Sequence, residues 1–343
     1  MADECFVSFV VIAYNEAPNI ARTLAAIADL EDLGEYELIV VNDGSRDDTA
    51  QIVSRIARHD PRIVLIDLPE NRGRGYARSR GVGTARGELV ATVDADIILP
   101  TDWLARTRAA LLEHDAVGGT AVPDGDVAYL HKRLGLVPRL VGNTTTVTGS
   151  NALYHRWVFD VVRFDPSLRE GEDSALNHAM KYQKLSYTTV PGLLVRHEGN
   201  KRWGTSLRWL FDVGRGATRQ LVTYQEIRQP DLVSGGFVAA SVVGLCLAAR
   251  RRRILGVSIP AGFVLAASIG HVRSRFEIPR SDVPKALSAV AIDSTMLTAY
   301  FAGRLVGLTE LRRVAARDRA ELASRASSLP SEATGRQHDR KTR

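Results

Sequence analysis

Four short stretches in the first hundred residues are almost wholly apolar, and a polar cluster follows each of them. In chain order they are VSFVVIA (7–13), ELIVVN (37–42), RIVLID (62–67) and ELVATVD (88–94). Short runs rich in Val and Ile, bounded by turn residues, are typical of strands buried on both faces of a parallel sheet. The pattern therefore predicts four such strands.

Helical periodicity fills the intervals between these strands. The apolar side chains that the first two helices would bury are Ile20, Leu24 and Ile27, then Ile52, Val53 and Ile56. Ser45, with Asp48 three residues later, is the expected N-cap of the second helix. Strands that alternate with helices predict an α/β fold, with a mostly parallel sheet and helices on both faces.

The polar clusters gather at one edge of the predicted sheet. They are AYNE, NDGS, ENRGRG and DAD, in chain order. Ligands of open α/β sheets bind at the carboxyl ends of the strands. A nucleotide fits this edge, with its base and ribose at Glu16 and Asp43 and its diphosphate bridged by a metal to Asp94 and Asp96. Carboxylates suit Mg²⁺ or Mn²⁺, which keep positions open for phosphate oxygens. An isolated Asp-x-Asp is more often part of a solvated turn. Here the neighbouring polar clusters favour a metal site instead.

Composition narrows the class of protein. The chain has 343 residues, 45% of them hydrophobic, which is enough for one large domain or two. Its two cysteines, Cys5 and Cys246, lie far apart and imply neither a disulfide framework nor a cysteine metal site. The first residues carry two acids and no basic region, so they predict a first strand rather than a signal peptide.

The second half of the chain combines basic residues with long uncharged stretches. Residues 233–249 and 254–270 carry no charge, and each would span roughly 25 Å as a helix, close to the hydrocarbon thickness of a bilayer. Buried core helices are the alternative. The flanking arginines favour a membrane over a nucleic-acid surface, so no nucleic-acid partner is expected. If both stretches cross the membrane, the RRRR at 250–253 lies on the outer side, against the positive-inside rule. A re-entrant hairpin, or arginines that snorkel to the interface, would resolve this conflict.

A third apolar segment, 285–308, is interrupted by Asp293 and Arg304, which favours packing against protein or a place near the membrane interface. The start of the following tail is expected to extend a helix, and its end to be disordered. The predicted division is a catalytic domain at 1–199, a basic amphipathic juxtamembrane segment at 200–232, membrane-associated helices at 233–308 and a basic tail at 309–343.

Six motifs in order resemble the family-2 glycosyltransferases of the GT-A fold. They are VVIAYNEAPNI, ELIVVNDGSRDDT, ENRGRGYARSRGVGTARGE, VDADIILP, GSNALYHRWVFD and GEDSALNHAM, which lie within residues 6–200. The resemblance implies a GT-A fold, a nucleotide-diphosphate sugar donor, a divalent metal, and inversion at the anomeric carbon; membrane attachment is expected from the uncharged stretches at 233–249 and 254–270. A dinucleotide-dependent dehydrogenase is disfavoured, because GRGYAR lacks the third glycine of G-x-G-x-x-G and follows the third strand.

The resemblance assigns roles residue by residue. Residues that match the nucleotide-sugar site are Ala13, Tyr14, Glu16, Asp43 and Asp94, and those that match metal ligands are Asp94, Asp96 and His197. Asp173 matches the catalytic base, and Glu172 beside it helps to place the acceptor. An ordinary interfacial histidine is the alternative for His197, and a helix N-cap is the alternative for Asp173.

These roles imply transfer of a sugar from a UDP- or GDP-linked donor, with Asp173 as general base and Mg²⁺ or Mn²⁺ at the diphosphate. The expected acceptor is a lipid-linked glycan or a polyprenyl phosphate, at a cell membrane with the catalytic domain facing the cytoplasm. A polysaccharide synthase is the second hypothesis. It is weakened because Gly199 stands where Q-x-x-R-W has its glutamine, although Arg202 and Trp203 are present. A non-catalytic nucleotide-sugar-binding module is the third.

Overall fold

The computed structural model describes residues 6–125, 146–201, 203–224 and 281–327, with Ala266, Ile269, Arg273 and Ile278 as isolated further positions. Its strands are β1 Val7–Ala13, β2 Tyr36–Asn42, β3 Ile63–Asp67, β4 Leu89–Asp94, β5 Ile97–Ile98, β6 Ala116–Gly125, β7 Asn151–His155 and β8 Tyr187–Lys201. They form one sheet in the order β3-β2-β1-β4-β7-β6-β8-β5.

Helices cover this sheet and continue beyond it. They are α1 Ile20–Ala28, α2 Thr49–Ala57, α3 Arg74–Thr84, α4 Trp103–Leu111, α5 Val158–Val161, α6 Glu172–Tyr182, α7 Trp203–Tyr224 and α8 Val283–Ser327. The four apolar stretches near the amino terminus therefore form β1 to β4, within one residue of the predicted bounds, and helices separate them as predicted.

The first half of the sheet is parallel, and β1, β2 and β4 are buried on both faces, whereas the edge strand β3 is only partly buried. β1 lies between β2 and β4 and runs parallel to both, and β3 runs parallel to β2. Along β1, Phe9 and Val11 belong to one core cluster while Val10 and Ile12 belong to the other. This alternation of faces is the period of two that a strand imposes, and it confirms the predicted two-sided burial for β1. For β3 that prediction is wrong, because β3 is an edge strand and Val64 is 38% exposed.

The second half of the sheet is mixed. β7 pairs antiparallel with β4 and with β6, and β6 pairs parallel with β8. β5 is only two residues long and pairs antiparallel with β8, so that Ile97 lies opposite His197. This pairing brings the residue just before β5 next to a strand that lies a hundred positions later in the chain.

The predicted N-cap of the second helix is wrong. α2 begins at Thr49 with Asp48 at its N-cap position, so Ser45 is not the cap. The Ser45 hydroxyl is used between loops instead, because it donates to Asn42 Oδ1 at 2.5 Å. The buried faces agree with the periodicity: Ile20, Leu24, Ile27 and Val53 are buried, and Ile52 and Ile56 pack half-buried against the same core.

α7 and α8 pack closely along each other. A Cβ on Gly303 would lie 2.8 Å from the Phe211 carbonyl carbon, and one on Gly214 would lie 2.8 Å from that of Tyr300. The glycines therefore allow the two backbones to approach. Arg304, inside the third apolar segment, is 6% exposed, and Thr218 Oγ1 donates to its carbonyl at 3.0 Å.

Two predicted features of the second half fall mostly outside the described residues. The expected spans at 233–249 and 254–270 do so except for Ala266 and Ile269, and the expected disordered end does so from residue 328 onward. Of the helices that are described, none combines the length and the apolar character needed to cross a bilayer.

Candidate active site

A cavity of about 620 Å³ opens at the carboxyl ends of β1, β2 and β4. All nine residues assigned to a site from the sequence line it, namely Ala13, Tyr14, Glu16, Asp43, Asp94, Asp96, Glu172, Asp173 and His197. They come from separate stretches of the chain that lie far apart in sequence. The fold therefore brings the predicted set together, while the role of each member stays a prediction.

The loop after β1 is pinned to the loop after β2. Asn15 has a left-handed backbone with φ of 56°, which Asn tolerates better than most residues. Its N–H donates to Ser45 Oγ at 2.8 Å, and its Oδ1 accepts the Arg46 N–H at 2.8 Å. The Glu16 N–H donates to Thr49 Oγ1 at 2.8 Å. These bonds fix the shape of the predicted nucleotide-binding loop.

Asp43 ties the loop after β3 to the same edge. It is 4% exposed, and its Oδ1 and Oδ2 accept the N–H groups of Arg72 and Gly73 at 2.7 and 2.8 Å. A carboxylate offers about four lone-pair sites, so two acceptor positions are left for a nucleotide base. The predicted contact between Asp43 and the base is compatible with this bonding.

Asp96 and His197 form a pair on the cavity wall. His197 Nε2 lies 2.7 Å from Asp96 Oδ2, and the Glu198 N–H donates to the Asp96 carbonyl at 2.7 Å. The pairing of β5 with β8 explains the contact, because it aligns Ile97 with His197. His197 thus contacts one of the predicted metal ligands, while its own role as a metal ligand stays a prediction.

Asp94 is held differently from Asp96. Its Oδ1 accepts Arg78 Nη2 at 2.5 Å, and the same guanidinium forms an ion pair with Glu172. Arg74 Nε lies 3.8 Å from the Glu172 carboxylate. One arginine therefore links the end of β4 to the start of α6, between two carboxylates that would otherwise repel each other.

The sequence interpretation gives no role to Arg78, although the residue lies in the third family motif. Its side chain is 2% exposed, and its guanidinium lies over the Phe164 ring at 5.9 Å. A Cβ on Gly149 would lie 2.7 Å from the guanidinium carbon, so a larger residue there would displace the guanidinium from this position. The signal in the sequence is helical spacing, because the inner face of α3 also carries Ala77 and Gly81.

Asp173 lies in the first turn of α6 and is not its N-cap. Gly171, with φ of 76°, occupies the N-cap position. Asp173 Oδ1 accepts the Ser174 N–H at 2.7 Å, and the residue is half-buried on the cavity wall. Glu172 is 1% exposed and contacts arginines, so its predicted role toward the acceptor is not visible in its contacts and stays a prediction.

A further group of residues lines the cavity that the sequence does not single out as a site. It consists of Glu170 before α6 and of Trp209, Asp212 and Arg215 on α7. Burial raises the pKa of the Glu170 carboxyl, and the Asp212 carboxylate raises it further, against the opposing effect of nearby arginines. The orientation of α7 decides which of its side chains reach the cavity, and that orientation depends on packing against α8.

Metal-binding capacity in the described part of the chain rests on few side chains. No group of three His, Cys, Asp or Glu is gathered there closely enough to hold a metal ion. Asp96 and His197 offer one oxygen and one nitrogen donor. Divalent cations at phosphate sites commonly take only one or two protein carboxylates and complete their shell with phosphate oxygens and water, so this pair fits such an ion. Asp94 is occupied by Arg78 on one oxygen.

Comparisons with known proteins find a family match for the part of the chain that carries six of the nine predicted site residues, from Ala13 to Asp96. Residues 8–163 match the family model described as glycosyl transferase family 2. The succinoglycan biosynthesis protein ExoO of Rhizobium meliloti (strain 1021) is 35% identical over 193 residues, covering 50% of this chain and 54% of that protein. The dolichyl-phosphate beta-glucosyltransferase ALG5C of Trichomonas vaginalis (strain ATCC PRA-98 / G3) is 37% identical over 134 residues, covering 37% of this chain and 40% of that protein. The chain thus spans about half the length of these relatives or less.

A solved structure has a similar fold. The mannosyltransferase PcManGT of Pyrobaculum calidifontis, in complex with GDP-Man and Mn²⁺, matches with a TM-score of 0.55 at 20% identity. The match covers 88% of this chain and 86% of that one. This likeness confirms the α/β, GT-A-like architecture predicted from the sequence.

Proposed function

We propose that this protein transfers a sugar from a nucleotide-diphosphate donor to an acceptor at a membrane. The match of residues 8–163 to the glycosyl transferase family 2 model supports this proposal. The observation that carries the proposal is the convergence of all nine predicted site residues on one cavity. Carboxylates from distant stretches of the chain surround a cavity of about 620 Å³. Binding of a protein partner alone does not require such an arrangement.

The donor occupies the end of the cavity formed by the loops after β1 and β2. Tyr14, which is 42% exposed, and Glu16 line this end together with Asp43. The hydrogen bonds that pin the loops keep the site in shape before a ligand arrives, which lowers the entropy lost on binding. We assign the base and ribose of a UDP- or GDP-linked sugar to these residues.

Asp96 and His197 would hold Mg²⁺ or Mn²⁺ beside the donor diphosphate, and Asp94 would face the ribose and the metal. When bound, such an ion neutralises the charge that develops on the leaving nucleotide diphosphate. Arg78 orients Asp94 through its bond to Oδ1, and leaves Oδ2 for a ligand. The Pyrobaculum mannosyltransferase, whose solved complex contains Mn²⁺ together with GDP-Man, supports this choice of ion.

Asp173 acts as the general base in an inverting displacement. The acceptor oxygen forms a bond to the anomeric carbon while the bond from that carbon to the diphosphate breaks, and no covalent enzyme intermediate is needed. The acceptor proton passes to Asp173 Oδ2, because Oδ1 already accepts the Ser174 N–H. Asp173 and the Asp96–His197 pair belong to different elements that line one cavity. The proposed mechanism requires the base and the leaving group on opposite faces of the anomeric carbon.

The acceptor is proposed to be a lipid-linked glycan or a polyprenyl phosphate, with the catalytic domain on the cytoplasmic face of the cell membrane. The uncharged stretches at 233–249 and 254–270 support attachment, and the likeness to a dolichyl-phosphate beta-glucosyltransferase of Trichomonas supports a lipid phosphate. Recovery of the full-length chain in the soluble fraction after a carbonate wash would contradict attachment.

Exopolysaccharide assembly is a second candidate function. The observation that favours it is the match to a succinoglycan biosynthesis protein over half of this chain. Transfer of single sugars to a lipid-linked intermediate serves both functions. Gly199 at the glutamine position of Q-x-x-R-W argues against polymerisation by this chain itself.

Replacement of Asp96 by Ala tests the metal-assisted reaction. Transfer should fall at least ~10²-fold, because stabilisation of the leaving diphosphate is lost. Asp102→Ala is a matched control: Asp102 lies at the N-cap position of α4 with its side chain 47% exposed. Transfer by the wild type should also stop in excess EDTA and return with Mn²⁺. Full activity in EDTA would sink the metal assignment, and a melting temperature equal to that of the control excludes unfolding as the cause of the loss.

A further inference from the structure

We propose that the part of the cavity bounded by Glu170, Trp209 and Asp212 binds a saccharide ring of the acceptor, so that the attacking group is a sugar hydroxyl and not a phosphate. This inference rests on the proposed function and deepens it by naming the acceptor class. It decides between the two acceptors considered above in favour of a lipid-linked glycan.

Trp209 supplies a surface that suits a sugar ring. It lies on α7, is 42% exposed, and lines the cavity that also contains the predicted base Asp173. The face of an indole ring carries partial negative charge and packs well against the partly positive C–H groups on one face of a pyranose. A phosphate group has no such apolar face and gains nothing from this contact.

Glu170 supplies a buried acceptor that lacks a partner. Its Oε2 is buried and has no hydrogen-bond partner among the described residues. Glu170 lines the cavity, and buried polar atoms are nearly always paired, so an unpaired oxygen on a lining residue points to a ligand group. Asp212 lines the same part of the cavity. A sugar hydroxyl donates to a carboxylate, whereas a phosphate dianion is repelled by it.

The excess of negative charge around the cavity is a further argument against a phosphate acceptor. The described carboxylates that line it are Glu16, Asp43, Asp94, Asp96, Glu170, Glu172, Asp173 and Asp212, and the described arginines are Arg74, Arg78, Arg169 and Arg215. Carboxylates therefore outnumber arginines by eight to four. The metal would offset this excess at the donor end, where Asp96 lies, and would leave the end at α7 without additional positive charge.

The arginines whose charges act on Glu170 are Arg74, Arg169 and Arg215, and each already has another partner. Arg74 Nε lies 3.8 Å from the Glu172 carboxylate. Arg215 lies 3.6 Å from Asp212 and 3.7 Å from Glu310, and Arg169 donates to the Asn71 carbonyl at 3.0 Å. The N-terminus of α6 is the remaining anion site in principle, but its first turn already carries Glu172 and Asp173. A terminal phosphate would have to compete with these existing pairs to bind here.

The test compares two acceptors and three tryptophan variants of the full-length protein in detergent. The acceptors are a polyprenyl phosphate and a polyprenyl diphosphate that carries one monosaccharide. Wild-type protein should use the glycosylated acceptor and leave the bare phosphate unmodified. Trp209→Ala should raise the KM for the glycosylated acceptor about tenfold, the usual scale for loss of an aromatic stacking partner, while Trp209→Phe should restore most of the affinity. Trp157→Ala is the matched control, because Trp157 is 45% exposed and does not line the cavity.

The donor Kd, measured separately by calorimetry, distinguishes failure of the inference from failure of the proposed function. Donor binding with transfer to the bare phosphate, at a rate equal to or above that for the glycosylated acceptor, would overturn the saccharide site alone. An unchanged acceptor KM in Trp209→Ala would overturn it as well. Absence of any nucleotide-sugar binding would instead reject the proposed function.

Discussion

Replacing Asp173 with Asn should lower the rate of sugar transfer by about 10²- to 10⁴-fold while donor affinity stays near that of the wild type. Asn keeps the shape of the side chain and an oxygen that can accept the Ser174 N–H, but it cannot take a proton from the acceptor hydroxyl. The donor is assigned to residues of other elements, namely Glu16, Asp43, Asp94 and Asp96. Loss of the base should therefore affect chemistry and not binding of the donor.

A purely structural role for Asp173 predicts a different result. Gly171 occupies the N-cap position, and the bond from Ser174 to Asp173 lies within the first turn of α6. Loss of such a contact costs about 1 kcal/mol of stability, and the Asn variant retains most of it. Calorimetry with the donor beside rate measurements distinguishes the two roles. Near-normal transfer by the Asn variant would mean that the base lies elsewhere, or that the acceptor is a phosphate and needs none.

Replacing Arg78 with Met should cost about 3–5 kcal/mol in the free energy of unfolding. The guanidinium is 2% exposed and lies between Asp94 and Glu172, and Met fills similar volume without charge. Its loss leaves two carboxylates, one of them almost fully buried, without their shared cation. Denaturant titration of the full-length protein in detergent measures the effect.

Arg80→Met is the matched control for this change, because Arg80 lies on the same helix and is exposed. It makes the same change in helix propensity without removing a buried charge. If the Arg78 variant loses no more stability than the Arg80 variant, the contacts of Arg78 with Asp94 and Glu172 do not stabilise the fold. Partial rescue by Arg78→Lys would show that charge matters more than the bidentate shape of the guanidinium.

The first half of the fold follows from local patterns. The four apolar runs become β1 to β4, and their polar ends meet at one cavity, because parallel strands joined by helices necessarily expose their carboxyl ends on one edge. The pattern misassigns Ser45 because the same hydroxyl can cap a helix or join two loops, and the choice depends on its contacts with Asn15 and Asn42.

The rest of the site depends on contacts between distant parts of the chain. Helical spacing places Arg78 on the buried face of α3 beside Ala77 and Gly81, but local patterns cannot identify its partners. Asp94 and Glu172 lie 16 and 94 positions away from it in the sequence. The contact between Asp96 and His197 requires the β5–β8 pairing, which no local periodicity indicates. Trp209 reaches the cavity because of the way α7 packs on α8, where Gly214 and Gly303 permit close approach.

The most direct test of the proposed sugar transfer uses carbonate-washed membranes that contain the full-length protein. The membranes are incubated with a panel of radiolabelled UDP- and GDP-linked sugars and Mn²⁺, then extracted with organic solvent. We expect one donor to give a labelled lipid product, and membranes with the Asp173→Asn variant to give almost none. Failure of every donor to label a product above protein-free membranes, with the protein folded and present in the pellet, would contradict the assignment.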